Sequence, residues 1–160
     1  ADTATTADAW EVLGTRLATQ FSNNIRNNFG FLNRSEDSDP NARDKTFRQE
    51  GRKVFKEVVP IAAAHIEGHL SDLGHAPSAV RRYWLHQANQ GMNQLVIKKL
   101  AGDASADLAP LILDEFANTA SAGSIIAFHK HRADLAAGDV GVICSFGAGY
   151  SVGSVVLRKR

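Results

Sequence analysis

The sequence predicts an α/β fold, in which a largely parallel sheet is covered by helices. Three observations carry that prediction. Apolar residues repeat with a strand-like period in some stretches and a helix-like period in others, and the two kinds alternate along the chain. The last two strand-like runs are separated only by residues 146–150, so that pair is expected to be antiparallel. A length of 160 residues, 44% hydrophobic and 22% charged, is that of one ordinary globular domain with chain enough to bury a core.

Each element has a local reason. Residues 11–19 (EVLGTRLAT) alternate and read as a strand. Residues 22–46 are rich in Asn, Asp and Ser. A loop of that length is expected to be a functional flap or a cover for a partner, pinned at Phe29 and Phe31. Val54, Val58, Ala62, Ile66 and Leu70 recur every four residues and make the apolar stripe of a long helix. Pro60 inside that stripe is expected to kink or divide it, and Gly74 to end it. Residues 81–86 (RRYWLH) read as a short aromatic strand. Residues 90–100 read as a second helix, with Met92, Leu95, Val96 and Leu100 on one face. Residues 111–117 could be strand or helix. Residues 121–135 read as a third helix, capped by Thr119 or Ser121. Residues 140–145 (VGVICS) and 151–157 (SVGSVVL) are two further strands.

Composition narrows the function. Lys plus Arg is 18 and Asp plus Glu is 17, a net charge of +1, which gives no support to a nucleic-acid binder. One cysteine excludes an internal disulfide framework and fits a reducing, cytoplasmic setting. No apolar run approaches the roughly 20 residues of a membrane helix, and no leader is expected at the N-terminus. The chain starts at Ala1 and its one methionine is Met92, which fits a trimmed initiator or a piece of a longer protein.

His86 is the first candidate for chemistry. It stands at the end of a strand and before a helix, where ligands gather in open α/β sheets. A histidine tidying the turn is the plainer alternative. Asn118 precedes a helix among small polar residues, where an ordinary cap is the simpler explanation. Cys144 lies between Ile143 and Ser145 in a strand and reads as a small hydrophobe, not a nucleophile. Gly147, Gly149 and Gly153 miss the dinucleotide-binding spacing and lead into a strand, so they read as a hairpin. No metal-ligand pattern accompanies His65 and His69, or His129 and His131, and these read as solvated histidines. The pairs Arg81–Arg82 and Lys98–Lys99 and the run Arg158-Lys159-Arg160 read as solvated surface.

Together these stretches are more specific than any alone. His86-Gln87-Ala88-Asn89, then Asn118-Thr119, then Phe146-Gly147 and Gly149 between two strands resemble, in this order, the C-terminal half of 3-oxoacyl-[acyl-carrier-protein] synthase III. That family belongs to the thiolase-like condensing enzymes of fatty acid synthesis. The resemblance implies that residues 1–160 form a C-terminal thiolase-like half-domain, a mixed five-stranded sheet with helices. It would be one half of an α/β/α/β/α sandwich, and a homodimer is implied for the whole enzyme. The half that carries the nucleophilic cysteine has no match in this chain.

The resemblance also implies roles. His86 and Asn118 match two members of a Cys-His-Asn triad. The substrates would be acyl-coenzyme A (acyl-CoA) and malonyl-carrier protein, the latter presented on its phosphopantetheine arm, with no resident cofactor or metal. Phe146, Gly147 and Ala148 match the catalytic chamber and its backbone oxyanion hole. Gln87, Ala88, Asn89, Gln90 and Gly91, with Lys56, match the surface that meets acyl-carrier protein. Gly91 departs from the arginine often found there, and Lys98 and Lys99 could supply the positive charge. The run from Ile125 to Lys130 and the glycine turn look most like a longer proteobacterial branch, some of whose members take medium-chain primers. A non-catalytic module that binds carrier protein or a partner is the alternative expectation.

Overall fold

The apolar stripe of residues 54–70 forms one continuous helix, α1 (Gly51–Asp72), in the computed structural model. The structure describes residues 9–26, 39, 41, 47–102 and 107–160. Pro60 does not divide α1. It is exposed, so the backbone bond it cannot make is lost on the solvent side, where water replaces it. Gly74 ends the helix with φ +72°, and the His75 N–H turns back to the Leu70 carbonyl. Most of the long polar loop, with Phe29 and Phe31, lies outside the described residues.

The strands are β1 (Trp10–Ser22), β2 (Ile25–Arg26), β3 (Arg48–Gln49), β4 (Val80–Leu85), β5 (Val140–Gly147) and β6 (Gly149–Lys159). Among the described residues three more α-helices follow α1: α2 (Gln90–Ala101), α3 (Leu113–Phe116) and α4 (Ala122–Lys130). The main sheet has the order β1-β6-β5-β4. β6 runs antiparallel to both its neighbours, and β4 and β5 are parallel. The sheet is therefore mixed, where alternation alone predicted a largely parallel one. The difference arises at β1, which pairs with the last strand and not with the next one along the chain. β2 and β3 form a separate antiparallel ribbon.

The ambiguous segment 111–117 contains the short helix α3. Before it, residues 107–112 run beside β4. Tyr83 N–H donates to the Leu108 carbonyl at 2.8 Å, and Arg82 Nε to that of Asp107 at 2.9 Å. This segment flanks β4 without a regular ladder, so the main sheet has four strands among the described residues where the resemblance implied five. The third helix is shorter than predicted, ending at Lys130.

Side-chain alternation sends the strands' apolar residues to both faces. Tyr83, Leu85, Val142, Cys144 and Phe146 join Val58, Ile66, Val96 and Ile97 of α1 and α2 in one cluster. Trp84 and Ile143 join Ala127 of α4 and Leu135 on the other face. There Trp84 meets Trp10 and Phe128 edge-on, with ring centroids 5.8 and 4.9 Å away.

Four residues read as solvated are buried: His65, His69, Arg82 and Lys159. Arg82 lies on β4, covered on both faces, and holds Asp134 with two hydrogen bonds of 2.6 and 2.9 Å. Lys159 lies over the Trp10 ring at 5.2 Å. His65 and His69 share Ser154 of β6: its Oγ is 3.0 Å from His65 Nε2 and 2.8 Å from His69 Nδ1. A helix face that packs on a sheet can bury imidazoles when a hydroxyl there satisfies them.

Candidate functional site

β4 and β5 are parallel neighbours, so their C-terminal ends open at the same edge of the sheet. His86 follows β4 directly, and Phe146 and Gly147 end β5. A cleft of about 460 Å³ lies there, lined by His86, Ala88, Asn118, Phe146, Gly147 and Ala148 among others. All six lie on turns or strand ends, where side chains can face a ligand and the sheet holds them still.

His86 is buried, and its Nδ1 has no partner among the described residues. Its ring packs 4.7 Å from that of Phe146 at an angle of 57°. Burial pushes the His86 pKa below its usual value, so the imidazole is neutral near pH 7. Asn118 is exposed to the cleft. Its Oδ1 accepts the Ala120 N–H at 3.0 Å, which leaves the side-chain NH₂ as its free donor. Ala117 and Ala120, on either side, both have φ of +53°, a left-handed conformation that costs a non-glycine residue about 1–3 kcal/mol each. Backbone of this kind persists only where its surroundings hold it, so the turn that carries Asn118 is a held one.

The hairpin between β5 and β6 forms the opposite wall. Ala148 is exposed and is not among the residues with positive φ, so an L side chain fits there without strain. Gly149, in contrast, has φ +135°, and a Cβ there would come 2.7 Å from the Ser151 nitrogen. Ser145 faces α4, its Oγ 2.8 Å from that of Ser124.

Sequence reasoning did not assign Ile25, Phe47, Gln49, Met92, Ser121 or Ser151 to the site, and these also line the cleft. Ile25, Phe47 and Gln49 come from the ribbon, whose two-residue strands carry too little period to read. Lys56 is exposed on α1 and does not line the cleft. Asn89 caps α2 through its Oδ1, which accepts the Met92 N–H at 3.2 Å; Gln90 is exposed beside it and Gly91 is half-buried. Gln87 differs from the surface role expected of it. It is fully buried, with its amide bonded to backbone, and no atom of it is free to meet a carrier protein.

Cys144 is buried in β5, and desolvation pushes its thiol up to about 12. That is the chemistry of a packed hydrophobe. Among the described residues no cluster of His, Cys, Asp and Glu could hold a metal ion, and no helix is long and apolar enough to cross a membrane. A larger groove, about 940 Å³, lies away from His86 beside Arg82 and α2; it is lined by Asn93, whose buried side-chain amide has no partner among the described residues.

Comparison with known proteins agrees with this geometry. Residues 70–159 match the family model described as 3-oxoacyl-[acyl-carrier-protein (ACP)] synthase III C terminal. The chain is 58% identical over 161 residues to the beta-ketodecanoyl-[acyl-carrier-protein] synthase of Pseudomonas aeruginosa, covering 100% of this chain and 46% of that protein. It is 33% identical over 119 residues to a beta-ketoacyl-[acyl-carrier-protein] synthase III of Gloeobacter violaceus, covering 73% and 36%. The chain thus spans less than half the length of these curated relatives. Among solved structures, the synthase III of Aquifex aeolicus superposes with a TM-score of 0.77 at 22% identity, over 96% of this chain and 46% of that one. The synthase III of Pseudomonas aeruginosa gives 0.75 at 25%, over 92% and 44%. The fold is accordingly the α/β, thiolase-like half.

Proposed function

The chain belongs to the 3-oxoacyl-[acyl-carrier-protein] synthase III family, and from that premise we propose that it is the C-terminal half of a condensing enzyme whose nucleophilic cysteine lies in an N-terminal half. Residues 1–160 would then be one half-domain of the enzyme. The reaction would be a decarboxylative Claisen condensation between an acyl primer, brought as acyl-CoA, and malonyl-carrier protein. A medium-chain primer is the reading favoured by the likeness to a beta-ketodecanoyl synthase over the whole chain.

The observation that carries this reading is that His86 and Asn118 line one cleft as neutral hydrogen-bond donors. Loss of CO₂ from the malonyl thioester leaves an enolate, with negative charge on the thioester oxygen. Two neutral N–H donors aimed at that oxygen stabilise it, and each is worth about 2.7–4 kcal/mol in kcat. The His86 proton belongs on Nε2, because a proton on the partnerless Nδ1 would bury an orphaned donor, which costs more than an orphaned acceptor. Asn118 donates through its NH₂, since its carbonyl is held by Ala120. The carbanion then attacks the acyl-cysteine thioester, forming the new carbon–carbon bond and releasing the thiolate. The backbone N–H of Ala148 would meet the oxyanion of that step, and Phe146 would line the chamber. Carrier protein would approach over Ala88, Asn89, Gln90 and Gly91, with Lys56, Lys98 and Lys99 facing its acidic surface. The whole enzyme would be a cytoplasmic homodimer, and the isolated half would not turn over. A bare binding module has no need of two donors converging on one cleft, which disfavours that alternative.

The test uses the enzyme with both halves present. His86→Ala and Asn118→Ala should abolish malonyl-carrier protein decarboxylation while sparing acyl transfer from coenzyme A to the cysteine. Undiminished decarboxylation in either variant rejects the assignment.

A further inference from the structure

Gln87 sits directly after His86 with no exposed surface. Its Nε2 donates to the Leu85 carbonyl at 2.9 Å and to the Pro110 carbonyl at 3.3 Å. Its Oε1 accepts the Ile112 N–H at 3.1 Å. Leu85 is the last residue of β4, and residues 110–112 lead through α3 to the turn that carries Asn118. The Tyr83 N–H to Leu108 carbonyl bond joins these two segments, and the Gln87 amide ties them again further along. The start of α4 rests on the same side chain. A Cβ at Gly123 would come 2.8 Å from the Gln87 Cβ and 3.2 Å from Thr119 Oγ1, so α4 reaches this position because residue 123 has no side chain.

We propose that Gln87 is a positioning residue that fixes His86 and Asn118 relative to one another, and not a contact for carrier protein. The proposal rests on the reading of His86 and Asn118 as the catalytic donors. One side chain meets the strand end before His86, the segment leading to Asn118 and the helix following it. The site asks for two donors and one acceptor on a neutral group, which a primary amide supplies. Lysine offers no acceptor, and a carboxylate would face two carbonyl oxygens with no proton to give them.

The experiment measures decarboxylation of malonyl-carrier protein and acyl transfer to the cysteine separately, in the enzyme with both halves. A displacement of about 1 Å at a catalytic group costs on the order of 100-fold. Gln87→Ala should lower the kcat of decarboxylation by about that factor, with KM for malonyl-carrier protein and the acyl-transfer rate changed less than about twofold. Gln87→Glu keeps the size and adds a pH readout. Its buried carboxyl, when protonated, can donate to one carbonyl and accept from Ile112, so kcat should be near parental at about pH 5.5 and fall as the pH rises, a limb the parent lacks. A raised KM with unchanged kcat would return Gln87 to the docking surface. Equal loss of decarboxylation and acyl transfer, or a parental pH profile in Gln87→Glu, would also overturn the proposal. His86→Ala, run alongside, tests the premise: if it decarboxylates normally, the catalytic assignment fails whatever Gln87 does.

Discussion

The imidazole of His86 and the ring of Phe146 lie 4.7 Å apart, tilted by 57°, across the parallel pair β4 and β5. Phe146 thereby removes water from one side of the histidine. Burial is the cause of its lowered pKa, so opening that side should raise it. In Phe146→Ala, histidine-selective NMR should show His86 titrating closer to its usual value. An unchanged midpoint would mean that other walls do the shielding. The truncation should also cost about 3 kcal/mol of stability, the low end for Phe→Ala because the site borders a cleft.

Ser154 predicts a pH dependence of stability. Its one hydroxyl proton can go to only one of His65 and His69, so at least one imidazole donates to it. Burial lowers both pKa values first, and the Arg16 guanidinium from β1 adds to it; Asp72 opposes it weakly at His69. With the folded pKa depressed, the unfolded chain binds more protons as the pH falls below about 6.5. This contribution is therefore complete above that value and is lost towards the lower folded pKa values. Urea midpoints should rise from about pH 5 towards about 6.5 and then level off, and a His65→Gln, His69→Gln double variant should give a flatter curve than the parent. Parallel curves would exclude the pair as the source.

Cys144 should behave as packing. With its thiol pushed up to about 12, it should resist alkylation until the protein unfolds. Cys144→Ala should leave both half-reactions intact and cost about 1 kcal/mol. Rapid labelling of the native protein, or an inactive but folded variant, would contradict this.

Arg82 and Asp134 offer a stability test away from the cleft. The guanidinium is buried, while the carboxylate is half exposed, and the guanidinium also holds the carbonyls of Asp107 and His131. Asp134→Ala should cost about 2–3 kcal/mol, less than the 3–5 of a fully buried pair, because Asp134 already contacts water. Arg82→Ala should cost more, since it also removes the donor to the Asp107 carbonyl and one of the two donors to that of His131. Chemical denaturation of both variants gives the order directly.

The long helix, the central strands and the C-terminal hairpin were legible because their apolar periods are long and unbroken. Residues 54–70 and 140–157 carried the fold almost unaided. The antiparallel β5–β6 pair was legible from its short connection, but the place of β1 was not, because β1 and β6 meet only through tertiary pairing. Nor was the burial of His65, His69 and Arg82. Polar residues on a packed face look solvated until their partners, Ser154 and Asp134, are known, and these lie far along the chain. His86 and Asn118 each had a bland local explanation, and the ordered run with Phe146 and Gly147 singled them out. Gln87 was misjudged for a related reason: its neighbours Asn89 and Gln90 are exposed, and nothing local marks the turn as diving inward.

Trp10 stands opposite Lys159 in the register of β1 and β6. Almost the whole chain is the loop that this pairing closes, an entropic cost of about 4 kcal/mol before any contact repays it. During synthesis β1 must wait for β6, which follows β2 to β5 and all four helices along the chain, before it can join the sheet. Its exposed Leu17 and Phe21 are then available to other chains during that delay. Folding yield should accordingly depend on concentration and chaperone supply more than the stability of the finished sheet suggests.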